Sequence, residues 1–269
     1  MGSAESRLLD GLTAIAARAS AAILGVARSA LNTREKPDRS PVTAADETSE
    51  RIILESLDHL APGVPIISEE TTGNIAPAGL ASRFFLVDPL DGTRELLAGR
   101  NEFTVNIALV DAGRPCLGVV AAPALSLLWR GIVGAGAERL TLTSGSEPNT
   151  ARDPRLIHTR ACPSSGPVAI VSRSHLDPGT ESHLASLQPA ETIRCGSALK
   201  FCRLAEGAAD IYPRLSPTSE WDVGAGHALL VAAGGAISAP DGQPLRYGQS
   251  DFRVPGFMAW GDRTKARSS

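Results

Sequence analysis

The stretch Arg83-Phe84-Phe85-Leu86-Val87-Asp88-Pro89-Leu90-Asp91-Gly92-Thr93-Arg94-Glu95 decides how the chain is read. Arg83–Val87 has strand character and runs straight into acid. Pro89 presets a turn after an extended Asp88. Asp88 and Asp91 stand three apart, so one turn can aim both carboxylates into one space. The Leu90 carbonyl between them is a further oxygen donor, and hard oxygen donors favour Mg2+ over zinc. Gly92 permits close backbone approach. Thr93 opens a predicted short helix, Arg94–Ala98, where the Gly92 and Thr93 N–H groups could cradle a phosphate. An isolated D-x-x-D is more often a loop whose aspartates cap a helix. D-P-L-D-G-T-R-E directly after an apolar strand is far more specific.

Further acidic stations flank this stretch. A predicted strand, Pro65–Ser68, ends in Glu69-Glu70. Ser219-Glu220-Trp221-Asp222 opens a predicted helix, Asp222–Ala233, where an Asp alone would be read as an N-cap or a partner of the helix dipole. Ser40-Pro41-Val42-Thr43-Ala44-Ala45-Asp46 carries a Thr-x-x-Asp that fits a capping box. Carboxylates are costly to bury without partners, so several of them at the ends of apolar segments imply cations.

Outward from these stations, residues 4–30 read as an amphipathic helix, with Leu8, Leu12, Ile15, Ala16, Ala19 and Ile23 at helical spacing. A polar loop, Asn32–Ser40, precedes a second helix, Ala44–Leu60, which Pro62-Gly63 ends. Phe103–Val110, Leu117–Ala121, Leu128–Val133 and Arg139–Leu142 read as meandering antiparallel strands. Around residue 150 the pattern changes. Val168–Ser172, Thr192–Cys195 and Asp210–Tyr212 (strands) alternate with Ser182–Leu187, Ala198–Glu206 and Asp222–Ala233 (helices), and Gly256–Trp260 is a last strand. The expected organisation is an α+β half, residues 1–150, carrying most metal ligands, and an α/β half, residues 151–269, carrying substrate contacts and Asp222.

The 269 residues are 43% hydrophobic and 20% charged, with a net charge of −3, an ordinary globular composition. No basic stripe is present to hold a nucleic-acid backbone, so an anionic ligand must be held by metal ions or a few aimed side chains. Cys116, Cys162, Cys195 and Cys202 lack zinc or redox spacing and read as reduced thiols of a cytosolic protein. The N-terminus is not a secretory signal, and no uncharged apolar run is long enough to span a bilayer. Met1-Gly2-Ser3-Ala4-Glu5-Ser6 fits the loose myristoylation pattern and is treated as chance. The tail after Asp262 is basic and polar and is expected to fray.

Pro41–Asp46, Ser68-Glu69-Glu70, Asp88–Glu95 and Trp221-Asp222 with Gly224–His227 resemble the lithium-sensitive inositol monophosphatase superfamily. Phe103–Leu109, Ser172–His175, Gly196–Cys202 and Tyr212-Pro213-Arg214 are similar to the CysQ-type 3'(2'),5'-bisphosphate nucleotidases within it. The likeness spans nearly the whole chain and keeps the motif order. Ala198 and Leu96 depart from it, where close relatives often have Ser and Phe. The resemblance implies a layered αβαβα sugar-phosphatase fold and two or more Mg2+ ions. Glu69, Asp88 and the Leu90 carbonyl would hold one ion; Asp88, Asp91 and Asp222 would hold a second; Glu70 would support them. Asp46 and Thr93 would orient the attacking water. Glu69, Leu90, Asp91, Gly92, Thr93 and Asp222 would also face the substrate. The implied reaction is hydrolysis of adenosine 3',5'-bisphosphate to AMP and phosphate in sulfate assimilation, with its sulfated form as a further substrate. The implied protein is cytoplasmic or peripheral to the inner membrane face, with no nucleic-acid partner, no integral membrane association, and a homodimer as its assembly.

His175, Gly196 and Lys200 are expected to hold the rest of the nucleotide, Lys200 near strand ends where ligands bind in α/β units. His59, His158, His183 and His227 are read as structural. Two alternatives stay open: an inositol- or sugar-phosphate phosphatase with the same metal site, and a non-catalytic nucleotide-binding protein. Gly196-x-x-x-Lys200 and Ser172–His175 argue against the first. The water-activating pair Asp46 and Thr93 argues against the second.

Overall fold

A computed structural model describes residues 4–29, 33–35, 41–71, 80–142 and 151–267. Helix α1 spans Ala4–Ser29 and α2 spans Ala44–Leu60, joined by a short antiparallel pair, β1 (Thr33–Glu35) and β2 (Pro41–Thr43). The segment expected to be a polar loop therefore contains a strand: Thr33 pairs with Thr43 and Arg34 with Val42, and the β-branched Thr33, Val42 and Thr43 suit a pleated edge. The rest of that loop, the Met1-Gly2-Ser3 start and the boundary expected near residue 150 lie outside the described residues.

Seven strands form the first sheet, in the order β3-β4-β5-β6-β7-β8-β9. They are β3 (Ile66–Ser68), β4 (Arg83–Asp91), β5 (Thr104–Asp111), β6 (Arg114–Ala122), β7 (Leu127–Ile132), β8 (Gly136–Leu142) and β9 (Ala151–Ile157), with a short helix α3 (Thr93–Leu97) after β4. Only β3 and β4 are parallel; the others form an antiparallel meander. A second, five-stranded sheet has the order β11-β10-β12-β16-β14. It consists of β10 (Val168–Ser172), β11 (Glu191–Cys195), β12 (Ile211–Arg214), β14 (Ala236–Ser238) and β16 (Phe257–Trp260). Helices α4 (Pro178–Leu187), α5 (Leu199–Ala205) and α6 (Glu220–Ala232) complete the fold, with a two-stranded pair, β13 (Thr218–Ser219) and β15 (Arg253–Val254).

Alternation along the strands assigns the layers. Phe85, Val87, Val105, Ile107 and Leu109 face α1 and α2 in one apolar core, with Leu12, Ile15, Ile53 and Leu57. The residues between them, Phe84, Leu86, Ala108 and Val110, face α5 and α6 in a second core, which also holds Ile170 and Phe257 of the second sheet. A third core joins that sheet to α4 through Val171, Ile211, Met258 and Leu184. The result is the expected αβαβα layering. Each sheet face is apolar because period-2 alternation serves two different helix layers.

Two further expectations are corrected. Strand β4 does not stop at Val87 but continues to Asp91, with its register to β5 shifting between Asp88 and Asp91. This irregularity bends the acidic stretch without ending the pairing. The tail after Asp262 does not simply fray: residues 265–267 form a 3-10 turn, and Ala266 packs on the third core. Helix α1 is long and apolar enough over Ala4–Val26 to cross a membrane by length and composition, but half of that window is buried inside the molecule, as in a core helix.

Candidate active site

The acidic end of β4 is clamped from the α2 side. Ser49 donates a hydrogen bond to the Pro89 carbonyl (2.7 Å), and the Leu90 N–H donates to Asp88 Oδ1 (3.1 Å). Gly92 then turns the chain with φ 100°, a left-handed conformation that favours glycine. A Cβ there would lie 2.3 Å from Ser197 Oγ, so the absence of a side chain lets the α5 entry pack against the loop. Ser197 Oγ lies within hydrogen-bond distance of the carbonyls of Asp91 (2.8 Å) and Glu102 (2.7 Å), tying the two parts of the chain together.

Glu69, Asp88 and Asp222 bring carboxylate oxygens within 4.8 Å of one another. Glu69 follows β3, Asp88 lies in β4 and Asp222 is in the first turn of α6. Asp91 lines the same cleft. Burial, reinforced by Glu69, Asp91, Asp222 and Asp46, pushes the Asp88 carboxyl well above the usual range. Asp91 is raised to about 6, first by burial and then by Asp222, against the opposing pull of Lys200. Carboxylates forced together at this cost suit hard divalent cations, which would relieve both the desolvation and the repulsion. Glu69 lines the cleft, while Glu70 behind it is half-buried in the following turn.

The two outer aspartates are held by the same device. Asp46 is the third residue of a capping box on α2: Oδ2 accepts from the Thr43 N–H (2.8 Å) and hydroxyl (2.6 Å). Its Oδ1 accepts from the Thr93 hydroxyl (2.9 Å). Asp222 likewise is the third residue of a capping box on α6, not the cap itself, which is Ser219. Its Oδ2 accepts from the Thr218 hydroxyl and the Ser219 N–H (3.1 Å). Capping and site chemistry, rival readings in the sequence, are compatible because a carboxylate has two oxygens.

A cleft of about 310 Å³ opens beside the acids, and its lining also carries the cations Arg94, Lys200, Arg214 and Arg253. Lys200, expected to contact the nucleotide, lines the cleft and is 4% exposed. Its Nζ donates to the carbonyls of Ser197 (2.5 Å) and Cys195 (3.4 Å) and sits 5.2 Å from the centre of the Tyr212 ring. Two donors of the ammonium are thus engaged and one remains. His175 Nε2 is 3.1 Å from Arg94 Nη1. Burial and the Arg94 charge lower the His175 pKa, so the neutral ring accepts that bond. Gly196 lines the cleft, with its N–H donated to Glu102 Oε2 (3.0 Å). Of the histidines read as structural, His227 bonds to the Tyr247 hydroxyl (2.9 Å) and burial lowers its pKa to about 3.

Two groups escaped the sequence reading. Glu102 grips Arg173 through both oxygens (2.7 Å each) and so fixes the wall that carries Gly196. Arg214, noticed only within a motif, lines the cleft with its Nε buried and unpaired. Neither has a periodic signal; an Arg in a short strand beside the Ser219–Asp222 turn was the available clue.

This fold and this carboxylate cleft are those of a metal-dependent phosphatase: residues 5–266 match the inositol monophosphatase family, and the chain belongs to it. Among its relatives, the 3'(2'),5'-bisphosphate nucleotidase CysQ of Escherichia coli is 39% identical over 254 residues, covering 93% of this chain and 98% of that protein. The CysQ nucleotidase of Salmonella typhimurium is 42% identical over 224 residues, covering 82% and 86%. The crystal structure of CysQ from Bacteroides thetaiotaomicron, a bacterial member of the inositol monophosphatase family, aligns with a TM-score of 0.79 at 35% identity, covering 96% of this chain and 97% of that one. An inositol monophosphatase from Anabaena aligns with a TM-score of 0.76 at 28% identity, covering 98% and 94%.

Proposed function

We propose that this phosphatase is a Mg2+-dependent 3'(2'),5'-bisphosphate nucleotidase that converts adenosine 3',5'-bisphosphate to AMP and phosphate. The observation that carries the reading is one cleft lined by both signs of charge: carboxylates with the Thr93–Asp46 pair, and the cations Lys200, Arg214 and Arg94. A nucleoside bisphosphate has two phosphates to satisfy, and the cation-binding carboxylates and the cationic side chains would divide them. The names of the CysQ relatives support the same substrate.

Glu69, Asp88, Asp91, Asp222 and the Leu90 carbonyl would hold the cations, with Glu70 in support. Bound there, Mg2+ supplies neutralisation of phosphate charge and activation of water. The chain's own residues do the rest. Thr93 donates its proton to Asp46 Oδ1 (2.9 Å), which leaves its oxygen lone pairs to accept from water. A hydroxyl is too weak a base to act alone, so the pair aligns the nucleophile more than it removes a proton. The left-handed turn at Gly92 brings backbone close to the transferred phosphate. His175, Gly196 and Lys200 line the cleft where the ribose, base and second phosphate would lie, and Arg214 adds a cationic group there.

In this reading the α+β half supplies most metal ligands, and the α/β half supplies Asp222 and the nucleotide contacts. The sulfated analogue of the substrate, a role in sulfate assimilation, lithium sensitivity, a cytoplasmic or membrane-peripheral location and a homodimer belong to the same proposal. The Anabaena neighbour favours one competing reading, an inositol phosphate phosphatase on the same metal site. Phosphate release from adenosine 3',5'-bisphosphate, inositol 1-phosphate and fructose 1,6-bisphosphate, each with and without Mg2+, separates them. Fastest Mg2+-dependent turnover of the bisphosphate nucleotide is expected; faster hydrolysis of inositol 1-phosphate overturns the nucleotidase reading.

A further inference from the structure

Three buried polar atoms beside the carboxylates have no hydrogen-bond partner among the described residues: Asn106 Oδ1, Asn106 Nδ2 and Thr104 Oγ1. Asn106 is 1% exposed and Thr104 is 0% exposed. An unpaired buried amide is costly. Register shows what these groups oppose. In the β4–β5 ladder Asp88 pairs with Asn106 and Asp91 with Thr104. Directly opposed residues of an antiparallel pair project from the same face with their Cβ atoms about 5 Å apart.

The face is fixed by the neighbouring pairs. Phe84 with Val110 and Leu86 with Ala108 all lie in the core beneath α5 and α6. The next pair in that alternation is Asp88 with Asn106. Helix α6, which carries Asp222, crosses this face: a Cβ on Gly224 would meet Leu86 Cδ1 at 3.1 Å and the Ala108 Cβ at 3.3 Å. On the other flank of Asn106 the ladder partner is Val120, and the next residue on its own face is Ala108; both are apolar. The polar side chains that the ladder sets beside the Asn106 amide are Asp88 and Thr104.

We propose that Asn106, assisted by Thr104, is a positioning residue for the cation-binding carboxylates: unpaired in the metal-free chain, the Asn106 amide N–H donates to the Asp88 carboxylate, and the Thr104 hydroxyl to Asp91, once cations are bound. Such bonds hold each carboxylate in one orientation, so that its remaining oxygen faces the cation; outer partners of this kind set ligand geometry and affinity. The unpaired amide is then a local cost retained for metal binding. This inference rests on the metal reading above.

The test replaces Asn106 by leucine, of similar size, and Thr104 by valine. Metal affinity is read by calorimetric titration of the full chain with Mg2+, and stability by thermal unfolding in EDTA and in Mg2+. Asn106→Leu should weaken Mg2+ binding about tenfold or more and shrink the stabilisation that Mg2+ confers. Its melting temperature in EDTA should not fall, because an unpaired buried amide is removed. Thr104→Val should act in the same direction with a smaller loss, and it carries the test alone if Asn106→Leu does not fold. Wild-type affinity in both variants overturns the inference, as does a lower melting temperature in EDTA with affinity unchanged, the pattern of a packing residue. Absence of Mg2+ binding in the wild-type chain sinks the metal reading itself, so the two failures are distinguishable.

Discussion

The N-termini of α2 and α6 are built alike and put to different use. Each begins with a hydroxyl-bearing cap, Thr43 or Ser219, and each carries an aspartate at its third position whose Oδ2 closes a capping box. At α2 the free oxygen meets a hydroxyl, that of Thr93. At α6 the carboxylate meets two others, Glu69 and Asp88. Local helix chemistry therefore fixes the carboxylate, and what β3 and β4 place opposite it fixes its task. A motif that reads as a cap is not thereby excused from chemistry.

The comparison breaks most readily at α6. Asp222→Asn keeps an acceptor for the cap but removes charge from the cluster. Turnover should fall on the order of a thousandfold or more, with weaker Mg2+ binding by titration and the fold intact by circular dichroism. Near-normal Mg2+-dependent turnover would remove Asp222 from the site. Asp46→Asn and Thr93→Val test the other terminus. Both should lower kcat roughly a hundredfold while KM and Mg2+ affinity stay near wild type, the pattern of an interaction made in the transition state. A raised KM at constant kcat would instead make the pair a binding element.

A smaller effect is expected at the cationic side chains. Arg214→Ala should cost ten- to a hundredfold in kcat/KM on adenosine 3',5'-bisphosphate, about 1.5–3 kcal/mol for one charge-assisted contact, and little on inositol 1-phosphate. Equal losses on both substrates would place its effect on the fold. Lys200→Ala should lose activity on both, since its bonds to Ser197 and Cys195 also brace the loop.

The smallest effect concerns stability without metal. The Asp91 carboxyl is raised from 3.8 to about 6 in the folded chain. The folded state then holds more protons than the unfolded one, so the contribution of this group is present below pH ~4 and lost as pH rises through ~6. Asp91→Asn should therefore raise the melting temperature in EDTA by a few degrees at pH 8, with the gain shrinking toward pH 4.5. A lowered melting temperature at pH 8 would show that Asp91 is stabilised by contacts other than cations.

Elements with sharp local punctuation were legible. The predicted bounds of α2 match because Thr43 caps its start and Pro62-Gly63 follows its end. Strand β9 was missed: Asp153 has φ 55° and Pro154 follows it, both ordinarily signs against a strand, yet tolerable at a sheet edge. Strands β13, β14 and β15 are too short to show a period. Helix α4 starts earlier than expected because Pro178 sits in its first turn, behind the Asp177 cap. The acidic stations could be found because they stand where apolar runs of sequence stop or where helices begin. The burial of Lys200, the Glu102–Arg173 clamp and the place of Arg214 in the cleft could not, since each depends on residues far apart in sequence.

The dispersal of Glu69, Asp88 and Asp222 along the chain has a kinetic consequence. The last of these carboxylates joins the others only when α6 docks on the first sheet, after long loops have closed and non-local contacts have formed. A cation selective for the finished site stabilises the native state by mass action but not the transition state that precedes it. Added Mg2+ should then leave the refolding arm of a chevron plot where it is and drop the unfolding arm, making the ion a latch that retards escape from the native basin.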